Sequence, residues 1–352
     1  MVDKSILTVG PKADESIHSM ILRLAPLFMV TVSDFVRFAL NVAGAIHIAA
    51  TRIEALWRMA ELAGWDAADI EHRKIEPTSA GMMIYQREVP HEWIDLRARR
   101  IAPGVLASDE IPYHRMPWHA NPIECDLSNG EVLIDRCPKC DASLGWSNIE
   151  TVFACGACEF DLRGHSPTYV PADRLLLARE LHAYLNGTAG RLPSDIEALD
   201  DVSRAYAMEW LAFFVDLPVG RRLKPSCNNA PFGLVEAKRW PKGFDDVMTR
   251  FVSSAPLVPG LASKAQMVSQ LIEAIQRAGT PPLRQLFLDR AIRVLNESPL
   301  SEVAASNRVF RQQRDIRASE GARSYSMSMG EFLRIDSMRA IQSATSRRPV
   351  GS

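Results

Sequence analysis

The sequence predicts a mainly α protein in which a small β-rich module separates two helical regions. Three observations lead there. Helical periodicity recurs three times in the first 75 residues. A stretch rich in Pro, Gly and aromatic residues then runs from 77 to 136 without a sustained helical period, and clustered cysteines follow it. From about residue 171 the helical pattern returns. The domain boundaries that follow are 1–90 for an N-terminal helix-turn-helix-like bundle, 91–170 for the β-rich module and 171–352 for a C-terminal helical domain with an arginine-rich tail.

The N-terminal elements are read from capping and periodicity. In DESIHSMILRLAP, Asp14 is a candidate cap, Ile17, Met20, Ile21 and Leu24 form an apolar stripe, and Pro26 ends it. In SDFVRFALNVAG, Ser33 is the expected cap, Phe35, Phe38, Ala39 and Val42 the stripe, and Gly44 the stop. In TRIEALWRMAELAG, Thr51 and Glu54 have capping-box spacing ahead of Ile53, Leu56, Trp57 and Ala60, and Gly64 closes the helix. Three short capped helices with tight turns suit a helix-turn-helix bundle, although many small helical bundles bind no DNA. The runs GMMIYQREV and EVLID are expected strands. RLLLARELHAYL, SRAYAMEWLAFFV, KAQMVSQLIEAIQRAG and RQLFLDRAIRVL are expected helices.

With 352 residues the chain is long enough for two or three modest domains, and 47% apolar with 24% charged residues is ordinary globular composition. A net charge of −1 excludes a protein that coats nucleic acid wholesale, so any DNA contact must come from local patches. No apolar run reaches the roughly 18 residues of a membrane helix, and the opening residues do not read as a secretion signal. The expected compartment is the cytoplasm, where thiols stay reduced and paired cysteines are better read as a metal site than as disulfides.

The four cysteines of CPKCDASLGWSNIETVFACGAC carry the chemistry. Cys137 and Cys140 form one Cys-x-x-Cys pair, Cys155 and Cys158 the other, with fourteen residues between them. Each pair presents two thiolates to one ion, and two pairs on adjacent hairpins complete a tetrahedron. The halves CPKCDASL and CGACEFDL share C-x-x-C-x-x-x-L, which places Leu144 and Leu162 equivalently. The module is therefore read as a zinc ribbon holding one structural zinc. A segment this small buries too little apolar surface to fold alone, and four thiolates leave no coordination position for chemistry. A redox dithiol is the rival reading. Cys227 stands alone as a packing or surface thiol. Cys125, with His114 and His119, has no usual ligand spacing.

The order RxAPxxLASDEIPYHRMPWHANPIEC, LIDRCPKCDASLGW and FACGACEFDL resembles the TniQ family, which includes the transposon target-selection proteins called TnsD. The opening ADESIHSMILRLAPLFMVTVSDFVRFAL is similar to the family's N-terminal helical signature, and EAKRWPKGFDDVM to its Trp-Pro-x-x-Phe segment. The likeness covers about half the chain and is weakest after residue 250. It departs from the family where a first zinc site would stand. Ala102, Pro103, Gly104 and Val105 replace a Cys-Pro-x-Cys, and Cys125 is followed by Ser128 instead of a histidine. One zinc is thus expected, with Ala102 and Val105 filling the first knuckle by apolar packing. The resemblance implies a non-catalytic adaptor of DNA transposition. Such a protein binds target DNA or docks on an RNA-guided CRISPR effector, recruits an AAA+ ATPase and through it the transposase, and in several cases acts as a homodimer.

Candidate DNA contacts concentrate in the tail. From Arg308 to Ser352 there are nine arginines against four acids, a net of +5. Arg311, Arg314 and Arg317 share one side of a helix, with Arg334 and Arg339 further on, and such a run also serves as an ordinary solvated face or docks an acidic protein. Smaller clusters sit at RARR (97–100) and GRRLK (220–224). On the second helix, 34–42, only Arg37 and Asn41 are equipped to read bases, which favours protein docking or dimerisation for the N-terminal bundle. No phosphate-cradling glycine loop, serine elbow or His-Glu-x-x-His helix marks an enzyme. A sequence-specific zinc-ribbon transcriptional regulator is the alternative, using the same parts without an ATPase.

Overall fold

The computed structural model describes residues 10–215, 225–253 and 271–297. Arg311, Arg314, Arg317, Arg334, Arg339 and the cluster at 220–224 lie outside them. The described chain is mainly helical, with one small three-stranded antiparallel sheet.

Helix α1 (Ile17–Leu24) buries the expected stripe of Ile17, Met20, Ile21 and Leu24. Its cap is Ser16, whose hydroxyl accepts from the Ser19 N–H; Asp14 instead accepts from the Tyr113 hydroxyl. A short α2 (Val32–Asp34) is capped by Thr31, not Ser33, because the Thr31 hydroxyl accepts from the Asp34 N–H at 3.1 Å. The chain then widens into a π turn at Phe35–Ala39. That wider turn rotates Phe38 off the apolar face, leaving it 69% exposed where a regular helix would have buried it, while Phe35, Val36, Leu40 and Val42 pack inward.

Helices α3 (Ile46–Ala49), α4 (Ile53–Ala63) and α5 (Ala67–Glu71) complete the N-terminal group. The expected Thr51 cap of α4 is not formed. Thr51 donates back to the His47 and Ile48 carbonyls and so finishes α3, leaving Arg52 as an N-cap without a side-chain bond. Gly64 closes α4 at φ 68°, as its position predicts.

GMMIYQREV is a hairpin, not one strand. β1 (Glu76–Pro77), β2 (Met82–Ile84) and β3 (Arg87–Val89) pair in that order, and the β2–β3 turn is Tyr85–Gln86, both at positive φ. EVLID makes only isolated bridges, Glu131 with Tyr169, Val132 with Cys125 and Ile134 with Ile101. Between them lies α6 (Pro103–Ser108), a helix the Pro/Gly composition concealed.

The C-terminal part contains α7 (Ala172–Leu185), α8 (Ser194–Glu197), α9 (Asp201–Val215), α10 (Ala230–Lys238), α11 (Lys242–Ser253), a helical segment at 271–276 and α12 (Pro281–Glu297). Trp240 and Phe244 of the Trp-Pro segment stack against Phe214 of α9 and Phe287 of α12, with the Phe244 and Phe287 rings 5.4 Å apart. Two apolar cores result. One joins the N-terminal helices to the cysteine module, Met20, Phe35 and Met59 with Leu144, Trp146 and Leu162. The other joins the β2–β3 hairpin and Trp93 to the C-terminal helices. Among the described residues no single helix is long and apolar enough to cross a membrane.

Candidate metal centre

The two knuckles repeat each other bond for bond. In the first, the Cys137 N–H donates to the Ala142 carbonyl, the Asp141 N–H to the Cys137 carbonyl, and the Leu144 N–H to the Asp135 carbonyl. In the second, the same bonds run from Cys155 to Phe160, from Glu159 to Cys155, and from Leu162 to Phe153. Bridges Arg136–Ser143 and Ala154–Asp161 occupy the same place in each half. Leu144 and Leu162, matched by the sequence repeat, are both buried, so each knuckle is pinned to the N-terminal core by its own leucine.

The repeat brings four sulfurs together. Cys137 Sγ lies 3.8 Å from Cys158 Sγ and Cys140 Sγ 3.8 Å from Cys155 Sγ, and all four fall within 4.8 Å of one another. A tetrahedral ion with metal–sulfur bonds of about 2.3 Å has a sulfur–sulfur edge of about 3.8 Å, whereas a disulfide needs about 2.05 Å. The cysteines are free thiols across the module, and the set could hold one metal ion. Burial pushes the Cys155 thiol up, but the N–H groups of Ala157 and Cys158 and the adjoining sulfurs more than offset it and hold the group below the ordinary thiol range. N–H groups aimed at sulfur are what a thiolate ligand requires.

The segment 102–105, where the resemblance would place a further Cys-x-x-Cys pair, is packed, as expected, with Ala102 and Val105 buried. Sequence reasoning missed what completes it. Glu131 is 0% exposed, and its carboxylate accepts from the N–H groups of Gly104 at 2.6 Å and Val105 at 2.9 Å. It therefore closes the N-terminus of α6 with a negative charge, the end where the helix dipole favours one. A Cβ on Gly104 would stand 2.8 Å from that carboxylate, so any other residue there would displace it. Ser128, where the resemblance would place a histidine, bonds to the Asp126 side chain.

His114, His119 and Cys125 do not form a second ligand set. Among the described residues the four cysteines are the one group of three or more such side chains with converging ligand atoms. The histidines instead join His18 and Trp146 in a buried cluster of tilted and edge-on rings, with His119 centred 4.6 Å from both His18 and His114. His114 Nδ1 sits 2.9 Å from Ser16 Oγ and His119 Nδ1 3.2 Å from the Asp95 carbonyl. Burial holds all three imidazoles below their ordinary range, His119 at about 4. A cavity of about 10 Å³, room for about one water, touches His18, His119 and Arg73.

RARR is not a surface patch. Arg99 is fully buried, and Arg100 donates to the Ala120 and Ile123 carbonyls, so only Arg97 is exposed. Of the N-terminal arginines, Arg23 pairs with buried Glu15, while Arg37 is exposed and lies 5.1 Å over the Phe38 ring.

Fold and site together define a mainly helical protein with a small antiparallel sheet and a four-cysteine centre that could hold one metal ion. No protein-family model matches the chain, and no curated protein matches it significantly.

Proposed function

We propose that this chain is a non-catalytic target-selection adaptor of DNA transposition of the TniQ kind, braced by one structural zinc. The observation that carries the proposal is the paired-knuckle centre at Cys137, Cys140, Cys155 and Cys158, set within a segment whose motif order resembles that family. Four thiolates at tetrahedral spacing favour zinc and leave no position open for a reacting ligand, so the ion holds the module together and recognition remains its task. Support for docking comes from the N-terminal helices, where Met29 is 93% and Phe38 69% exposed beside Val30 and Arg37, an apolar surface suited to a protein partner or a second copy. The partners proposed are an AAA+ transposition ATPase, target DNA contacted through Arg311, Arg314, Arg317, Arg334 and Arg339, and an RNA-guided CRISPR effector where targeting is RNA-directed.

The test is a pull-down of the purified full chain with an AAA+ transposition ATPase, with and without target DNA, after metal analysis. Retention of the ATPase and about one zinc per chain are expected. Tight binding to one promoter sequence with no ATPase retained would favour the transcriptional-regulator alternative. Metal near zero would remove the structural basis of both. Replacing Cys140 by Ser is expected to release zinc and unfold the module, read by chelator-coupled absorbance and circular dichroism.

A further inference from the structure

Arg99 is 0% exposed, a burial almost never found for arginine without a paired anion. Its contacts fix where its charge lies. The main-chain N–H donates to the Leu144 carbonyl at 2.9 Å, at the end of the first knuckle. Its guanidinium donates to the Val152 carbonyl at 2.6 Å through Nη1 and to the Ala154 carbonyl at 2.6 Å through Nη2, in the strand entering the second. Ala154 immediately precedes Cys155, so the guanidinium is bonded to the backbone next to a candidate ligand.

These carbonyls are dipoles, not counter-charges, and no carboxylate pairs with Arg99 among the described residues. Burial draws its pKa down to about 10, opposed by the neighbouring Cys155 and Cys137. A buried cation without a counter-charge costs several kcal/mol, and carbonyl dipoles offset only part of that. Four thiolates around a divalent ion carry a net charge of about −2, which supplies the missing anion; four neutral thiols supply none.

We propose that Arg99 is the counter-charge of the four-cysteine centre, a positioning residue that couples metal loading to the closure of both knuckles. The assignment rests on reading the cysteines as a metal centre. Loading creates the anion that makes Arg99 stable in its buried place, and Arg99 in turn stabilises the deprotonated sulfurs that hold the metal. Metal affinity therefore depends on a residue 38 positions before the first ligand, outside either Cys-x-x-Cys pair.

The experiment compares wild type, Arg99→Gln and Arg99→Lys as full-length proteins. Zinc affinity is measured by competition with a chromophoric chelator, and the sulfur-to-cobalt charge-transfer band is recorded on cobalt(II)-loaded protein. Arg99→Gln is expected to lose about 10- to 100-fold in zinc affinity. Its charge-transfer band should move to longer wavelength, because sulfurs without a neighbouring cation give up electrons more easily. Arg99→Lys, which keeps the charge but loses the fork, should recover at least half of the loss on a logarithmic scale. Gln and wild type with equal affinity and an unshifted band would overturn the proposal. So would a Lys variant as weak as Gln, the outcome for a purely structural brace; if Gln fails to fold, a Lys variant 10-fold or more weaker than wild type in zinc affinity overturns the proposal and one within 10-fold, with an unshifted band, supports it. Wild type that takes up neither zinc nor cobalt would instead overturn the metal reading beneath it.

Discussion

Asp141 and Glu159 stand at the same position of successive knuckles and share one backbone conformation, φ 57° and 58°. Each follows the second cysteine of its pair, where the chain must turn left-handed so that its N–H can reach the carbonyl of the first cysteine. An L side chain in that region costs roughly 1–2 kcal/mol, less for Asp, which tolerates it better than Glu.

Glycine at these positions is therefore expected to stabilise the module. Glu159→Gly should raise the unfolding free energy of the zinc-loaded protein by up to about 1 kcal/mol, and Asp141→Gly by less, since the entropy of glycine in the unfolded chain offsets part of the relief. Urea titration of the two variants beside wild type checks the order. Destabilisation by Glu159→Gly would show that the side chain contributes more than the backbone strain removes.

Glu131 supplies the carboxylate that closes the N-terminus of α6. Glu131→Gln is expected to cost about 1–2 kcal/mol, and Glu131→Ala about 2–3 kcal/mol because two buried N–H groups lose their acceptor. Zinc content should stay unchanged in both, since the carboxylate serves the other end of the module. Equilibrium denaturation with metal analysis separates the two effects.

The buried histidines make stability depend on acid. The unfolded chain takes up protons at imidazole below about pH 6.5, whereas His119 stays neutral in the fold down to about 4 and His18 and His114 are also held low. Stability is thus fully present above the unfolded value and is lost as pH falls from about 6.5 towards 4, by up to about 1.4 kcal/mol per pH unit for each histidine. His119→Asn keeps a group able to donate to the Asp95 carbonyl and should flatten this slope by one histidine's share. Thermal melts of variant and wild type between pH 5 and 7.5 test it, the difference removing the effect of protons competing at the cysteines.

Glu209 acts in the opposite direction. Burial, aided by Glu92 and opposed by the Trp93 indole N–H, raises its carboxyl to about 7. The fold therefore keeps a proton that the unfolded chain gives up above about 4.5, and stability from this group declines as pH rises from about 4.5 to 7. Glu209→Gln should stabilise the protein at pH 8 and leave it nearly unchanged at pH 4.5, which melts at the two pH values would show.

Gly233 lets α9 and α10 approach closely. A Cβ there would fall 1.6 Å from the Met208 carbonyl oxygen of α9, so Gly233→Ala must push α10 away. A loss of about 3 kcal/mol is expected in denaturant titration, and a neutral result would mean that the two helices can separate without loss of packing.

The sequence alone determined the apolar stripe of α1, the left-handed stop at Gly64 and the four sulfur ligands, because each is set by neighbours within a few turns of chain or by an internal repeat of eight residues; on α4 the buried face instead runs through Ala55, Leu56, Met59 and Ala60, and Trp57 of the expected stripe is 38% exposed. It could not reveal that Phe38 turns outward, since a π turn depends on the packing around it, nor that Thr51 ends one helix instead of starting the next. It showed RARR as a basic cluster, and only the tertiary structure carried Arg99 inside, against carbonyls more than fifty residues away. The bond of buried Glu131 to the N-terminus of α6 was hidden for the same reason. Local pattern fixes which groups a segment offers, but whether a charge faces water or another charge is decided by long-range packing, where desolvation sets the energy.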